Sequence, residues 1–192
     1  MRTTRVERKT TEVDIVVELN VDGRGKGNVK TGIKFLDHLL TSLSKHSLFD
    51  LTVKAKGALK HHVSEDVALA LGKALNQALA DKKGIKRFGS AFVSMDDSLA
   101  RAVLDLGGRP YSNFDLKLGR VKIEDMKTED IVHFLVSFAQ TSKLNLHLAV
   151  LYGTNEHHKI EAAIKALAVA LREAVTIEPR MAGDVPSAKG ML

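Results

Sequence analysis

Two short stretches of the 192-residue chain carry the same pattern of metal-ligating side chains. His61-His62-x-x-Glu65 lies in LKHHVSEDVAL, and His157-His158-x-x-Glu161 lies in GTNEHHKIEAA. If each motif occupies the first turn of a helix, its first histidine and its glutamate are four residues apart and stand one above the other. The second histidine lies about 100° further round, because the helix repeats every 3.6 residues. Neighbouring imidazoles then diverge. They cannot easily share one ion, but they can serve two ions, or one ion and a substrate. Each motif offers one imidazole–carboxylate pair and one spare imidazole, fewer than the roughly four to six donors that Mn, Fe or Zn takes.

Further ligands must therefore come from elsewhere. The chain has eight histidines and no cysteine, so thiolate sites, disulfides and cysteine nucleophiles are excluded and imidazole and carboxylate are the donors left. His38 follows Asp37 in an amphipathic stretch. His147 sits between Leu146 and Leu148, near enough to the second motif for a strand-to-helix connection to bring it to the same end. Alone, His147 reads as an ordinary hydrogen-bonded core residue, and a His-His pair at a helix start reads as a polar cap. Together, six of the eight histidines and two glutamates at similar places favour a metal site. Candidate anion binders surround them: Arg87 in KGIKRFGS, Arg109 in GGRP, Lys165 one turn past Glu161, and Ser187 and Lys189 in PSAKG. Such a set suits a phosphate, although surface lysines and arginines are usually just solvated. Glu12, at the start of a strand, reads from the residues alone as an exposed acid.

Bulk properties narrow the class. A hydrophobic fraction of 44% supports a packed core without staples. The net charge of +6 is spread among 23 acids, and no basic strip interleaved with aromatics marks a nucleic-acid platform. MRTTRVERKTTEVD has no apolar segment of a secretory leader, and no run reaches the roughly 18 apolar residues of a membrane span. The expectation is a cytoplasmic protein that binds neither nucleic acid nor membrane.

The elements that position these residues follow from periodicity. EVDIVVELNV (12–21) alternates as a half-buried strand, ended by the glycines of DGRGKGN. IKFLDHLLTSLSKHS has helical spacing, LFDLTVKAKG alternates, and SEDVALALGKALNQALADKKG is an amphipathic helix closed by Gly84. SAFVSM, LARAVLDL and YSNFDLKL predict three strands in an antiparallel run. TEDIVHFLVSFAQTS predicts a helix capped by Thr128, with Glu129 and Asp130 in its first turn. KLNLHLAVLYG predicts a strand, EHHKIEAAIKALAVALREAV a long helix, and the C-terminal residues a loop. Helix, strand, glycine, HHxxE and helix thus occur twice, with His61 and His157 96 residues apart. This is an internal duplication, too long in period for a solenoid. It predicts an α+β fold: a duplicated strand–helix–strand–helix unit, giving two sheets with helices packed on them.

The stretches TGIKFLDHLL, HHVSED, KGIKRFG, LDLGGRPY, GTNEHHKIEAAIKALAVALR and PSAKGML stand in this order, and from about residue 5 to the C-terminus the chain resembles imidazoleglycerol-phosphate dehydratase. The resemblance implies a ribosomal protein S5 domain 2-like fold. It implies one catalytic domain of two similar halves, about 1–88 and 89–178, with a substrate-binding tail at 179–192 and no fused phosphatase. The implied reaction, in histidine biosynthesis, removes water from D-erythro-imidazole-glycerol phosphate to give imidazole-acetol phosphate. The implied cofactor is two Mn2+ per active site, held by His38, His61, His62, Glu65, His147, His157, His158 and Glu161. Glu12 takes the place of the acid/base glutamate, while Arg87, Arg109, Lys165, Ser187 and Lys189 match substrate and phosphate contacts. The implied assembly is a homo-oligomeric 24-mer with sites between subunits, and the expected mechanism is stabilisation of an imidazolate/diazafulvene intermediate by the metals. Three residues depart from the family pattern: Lys60 where Asp is frequent, Ser42 where Gln is common, and Asp97 for a frequent Glu. Two other readings use similar residues. A two-metal phosphoesterase wants Asp-rich bridging ligands, but only Asp66 follows a motif glutamate and its counterpart is Ala162. A non-catalytic metal-binding assembly needs neither the phosphate cluster nor Glu12.

Overall fold

Alternation decides which way each strand faces. Val13, Ile15, Val17 and Leu19 are buried and the side chains between them are not, the pattern of a sheet covered on one side only. A computed structural model describes residues 1–192. It orders the chain as β1 (Thr3–Lys9), β2 (Val13–Asn20), β3 (Gly27–Lys30), α1 (Lys34–Ser47), β4 (Asp50–Gly57) and α2 (Lys60–Leu79), then β5 (Phe88–Met95), β6 (Ser98–Asp105), β7 (Tyr111–Asp115), β8 (Lys122–Ile123), β9 (Met126–Lys127), α3 (Thr128–Thr141), β10 (Asn145–Tyr152) and α4 (Glu156–Val175).

The first sheet has the order β1-β2-β4-β3 and the second β5-β6-β10-β7. In each, the last pair, β3–β4 or β7–β10, is parallel and the others are antiparallel. The two sheets are thus the same topology built twice. α1 and α2 lie on the inner face of the first sheet, α3 and α4 on that of the second, and the helix layers meet as α1 on α4 and α2 on α3. The layering is sheet, helices, helices, sheet. One continuous cluster of 53 buried apolar residues runs through both halves, so neither half has a core of its own. The helix layers approach closely where α2 has Gly72: a β-carbon there would stand 2.1 Å from Thr141 Oγ1 and 2.7 Å from the Phe138 carbonyl of α3.

The structure departs from the expected elements in four places. β1 lies in the charged N-terminal stretch, where no element is expected, and β3 at the glycines that end the first predicted strand; both are edge strands. Only Val6 of β1 is buried and β3 has no buried residue, so no apolar alternation marked them. β7 ends at Asp115, short of Leu118, and pairs in parallel with β10, not in an antiparallel run. α2 begins at Lys60, ahead of the amphipathic pattern, and ends at Leu79, before Gly84. Residues 116–127 hold a small hairpin, β8–β9, with no counterpart in the first half. This insertion moves the internal repeat from about 85 residues (β2 to β6) to about 95 (α1 to α3). The C-terminal segment is a loop as expected, with one 3-10 turn at Pro179–Met181, and is fastened along Gly84 by backbone bonds from Glu178 and to Asp184. No helix is long and apolar enough to cross a membrane.

Candidate active site

Both HHxxE motifs sit in the first turn of their helices, and the connection before each leaves no spare room. A β-carbon at Gly57 would meet Val63 Cγ2 at 2.7 Å, and one at Gly153 would meet Ser98 Oγ at 2.2 Å. The start of α4 is capped: Asn155 Oδ1 accepts from the backbone N–H of His157 (2.9 Å) and His158 (3.3 Å). The Asp97 carboxylate accepts from the N–H of Thr154 (2.5 Å) and Asn155 (3.0 Å) and from Thr154 Oγ1 (2.8 Å). At α1, the cap comes from the hairpin, where Asp125 accepts from the N–H of Lys34 (3.1 Å) and Phe35 (2.9 Å). Asp125 also takes Lys60 Nζ at 2.8 Å. Lys60, which departs from the family pattern, thus ties the start of α2 to the start of α1. Ser42, another departure, has its hydroxyl sealed from solvent and without a hydrogen-bond partner.

These pinned helix starts converge as two clusters. His38, His157 and Glu161 bring one ligand atom each to within 4.8 Å of one another, and so do His61, Glu65 and His133. Each triad takes a histidine from the first helix of one half and the His…Glu pair from the second helix of the other. Two imidazoles and a carboxylate suit a divalent transition metal and leave coordination positions open, so the donor chemistry fits the manganese that the family resemblance implies. In the first triad Glu161 Oε2 stands 3.2 Å from His38 Nε2 and 3.3 Å from His157 Nε2, and Glu161 Oε1 meets Lys165 Nζ at 2.8 Å. Burial alone raises the Glu161 carboxyl, but hydrogen bonds from Lys165 and His38 and their charges outweigh it and bring the group down to about 2.

Every motif histidine also faces a carboxylate with Nδ1. His61 meets Asp130 at 2.6 Å, His62 meets Glu12 at 3.2 Å, His157 meets Glu124 at 3.1 Å and His158 meets Asp97 at 2.6 Å. A carboxylate only accepts, so a proton on Nδ1 satisfies these contacts, and a histidine in that tautomer offers the lone pair of Nε2 to a metal. The hydrogen bond to Asp130, assisted by the charges of Asp130 and Glu65, holds the His61 imidazole above its usual range. His62 and His158 turn away from the triads and remain partly exposed.

Glu12 and Asp97 are counterparts under the duplication, one residue before β2 and β6 respectively. They differ in freedom. Asp97 has its carboxylate taken by two backbone N–H groups, a hydroxyl and an imidazole, which depress its pKa strongly. The Glu12 carboxylate meets the His62 imidazole, and its side chain is 60% exposed. Of the pair, Glu12 is the less committed carboxylate.

Four of the five anion-binding candidates line one cleft of about 350 Å³: Arg87, Arg109, Ser187 and Lys189. Arg87 makes a two-pronged bond to Asp105 (2.6 and 2.9 Å) and donates to the Pro186 carbonyl (2.9 Å), which lays the C-terminal segment over the cleft. The cleft stands at the Asp105 end of β6, whereas Asp97 and His158 stand at the Ser98 end. Eight residues of strand separate them, about 26 Å at roughly 3.3 Å per residue.

The structure does not bring His147 to either triad. It lies mid-strand on the outer face of the second sheet, opposite Val103 and Asn113 and against the Tyr111 ring, because Leu146 and Leu148 claim the inner face. Nor does it bring Lys165 to the anion cleft; that residue stays beside Glu161 and Met95. The sequence reading passed over His133, Asp130 and Glu124. A signal for His133 was present: the 96-residue offset between the motifs, applied to His38, lands one residue away from it. The same offset gives His147 no histidine counterpart.

The sequence profile of "Imidazoleglycerol-phosphate dehydratase" matches residues 31–171. An imidazoleglycerol-phosphate dehydratase of Dehalococcoides mccartyi (strain CBDB1) is 50% identical over 191 residues, spanning 100% of this chain and 97% of the relative. That of Chloroherpeton thalassium is 49% identical over 194 residues, spanning 100% and 98%. Among solved structures, the enzyme from Staphylococcus aureus superposes with a TM-score of 0.84 at 33% identity, covering 92% of this chain and 99% of that one. The Pyrococcus furiosus protein, crystallised with (S)-C348, gives 0.84 at 34% identity, covering 97% and 100%.

Proposed function

The chain belongs to the imidazoleglycerol-phosphate dehydratase family, metal-dependent hydro-lyases of histidine biosynthesis, and from that premise we propose that it converts D-erythro-imidazole-glycerol phosphate to imidazole-acetol phosphate on two Mn2+ ions. The observation that carries this reading is the pair of two-imidazole, one-carboxylate triads. One ion would be held by His38, His157 and Glu161, the other by His61, Glu65 and His133. Bound manganese would supply Lewis acidity to a ring nitrogen and so acidify the carbon attached to it.

The chain's own residues account for the rest. Glu12 moves the proton at that carbon, since its carboxylate is uncommitted where Asp97 is locked. Arg109, Ser187 and Lys189 bind the phosphate, with Arg87 holding the C-terminal segment in place, so that remote binding energy positions the reacting end. Lys165 sits where it balances Glu161 and faces the substrate end instead of the phosphate. A small substrate cannot bridge the strand length between the cleft and the triads of one chain. The phosphate site therefore serves the triads of another copy, and His62 and His158, aimed away from their own triads, supply the further imidazole to neighbouring ones. This supports a homo-oligomer with sites between subunits, for which the family's expected 24-mer is one closed arrangement.

The test is to strip the protein with a chelator, restore Mn2+, and follow both water loss from imidazole-glycerol phosphate and release of inorganic phosphate. Manganese-dependent dehydration with phosphate retained is expected. Phosphate release would give the phosphoesterase reading, and binding of Mn2+ without turnover the non-catalytic one.

A further inference from the structure

The hairpin β8–β9 belongs to neither copy of the duplicated unit, yet it touches one triad and leads directly into α3, which serves the other. Ile123 and Met126 are buried and anchor it, and a two-residue turn, Glu124–Asp125, joins the strands. Glu124 has φ 50. A two-residue turn with a positive φ at its first central position favours glycine there, because a β-carbon is crowded in that conformation. The chain nevertheless carries a glutamate, and its Oε1 lies 3.1 Å from His157 Nδ1. An unfavourable backbone conformation occupied by a side chain that meets a candidate metal ligand points to a role for that side chain.

Six residues further on, Asp130 in the first turn of α3 does the same for the other triad. Its carboxylate is buried, with Oδ1 2.6 Å from His61 Nδ1. His157 and His61 are the first histidines of the two motifs, the ones inside the triads. Between them in sequence Asp125 caps α1, which carries His38, and pairs with Lys60 at the start of α2.

We infer that Glu124 and Asp130 are positioning residues. Each holds the first histidine of one motif in the tautomer with Nδ1 protonated and Nε2 turned into its triad, so that segment 122–130 acts as one clamp on both metal sites. The inference rests on the triads being the metal sites. Neither carboxylate is within the metal-ligand set; each acts through an imidazole.

The experiment uses the full-length protein and three variants: Glu124→Gln, Glu124→Gly and Asp130→Asn. Mn2+ affinity is measured by competition with a chelator. Nitrogen-15 NMR of the metal-free protein at pH 8 reads the histidine tautomers, and thermal melting reads the fold. Each variant should lose about 10- to 100-fold in Mn2+ affinity at one of its two sites, with the Nδ1-protonated signature of His157 or His61 weakened. Glu124→Gly separates positioning from stability. Glycine suits the turn, so the melting temperature of the metal-free protein should hold or rise while affinity for Mn2+ falls. Wild-type affinity and an unchanged His157 tautomer in both Glu124 variants would overturn the inference. A wild-type protein that binds no Mn2+ would instead overturn the metal reading beneath it.

Discussion

At the scale of the residue, the duplication places like positions in unlike surroundings. Glu12 and Asp97 occupy the same place in the two halves and meet the same nitrogen of His62 and His158, yet only Asp97 is caught by backbone donors. Glu12→Gln should therefore lower turnover by about 10²- to 10⁴-fold, the usual worth of a general acid–base, with Mn2+ content unchanged; metal analysis alongside steady-state kinetics checks both. Glu161 allows a prediction about pH. Its folded-state pKa is about 2 against an ordinary 4.5. A depressed carboxyl contributes stability that is present above the unfolded value and lost as pH falls through the folded one. In the metal-free protein Glu161→Gln should then cost on the order of 2–3 kcal/mol at neutral pH. The gap from wild type should close as pH drops from about 4.5 toward 2, measured by denaturant unfolding. The motif residues were legible in the sequence because they repeat. His133 stands alone on an otherwise ordinary amphipathic helix and carries no such repeat, and His147 is near the second motif only in sequence, a proximity that a strand's alternation overrules.

At the scale of the element, what matters is where helices start. The sequence placed the long helices and central strands well, since α1, α2, α4, β2 and β4 carry strong periods. It missed β1 and β3, whose edge positions leave their residues exposed, and the β8–β9 hairpin, whose two-residue strands are too short to show any period. The starts of α2 and α4 depend on glycines whose missing β-carbons admit neighbouring side chains. Gly57→Ala would press on Val63 Cγ2 (2.7 Å), Val13 Cγ1 (2.9 Å) and the Glu12 carbonyl (3.0 Å). It should destabilise the protein by about 1–3 kcal/mol, as overpacking does, and displace Glu12 and His62 together. Thermal melting and kcat should fall in the same variant. Relief of the clash by Val63→Ala in the double variant would show that the effect is steric.

At the scale of the whole molecule, the triads lie at one end and the anion cleft at the other. The charge and composition of the chain carry no sign of this separation; it emerges only when strand length is set against the size of a small substrate. Subunits inactivated at opposite ends should rescue each other. Mixed by unfolding and reassembly, Glu12→Gln and Arg109→Ala chains should regain about one quarter of wild-type activity, if each site draws the two groups from different copies. No recovery in a properly assembled mixture would place both groups in one chain. The claim on which all else stands is that the two triads are the manganese sites, with His133 and not His147 completing the second. Equilibrium dialysis against Mn2+ of the wild type, His133→Ala and His147→Ala tests it directly. Two tightly bound ions per chain in the wild type and in His147→Ala, and one fewer in His133→Ala, are predicted. A full complement in His133→Ala, or an ion lost from His147→Ala, would contradict it.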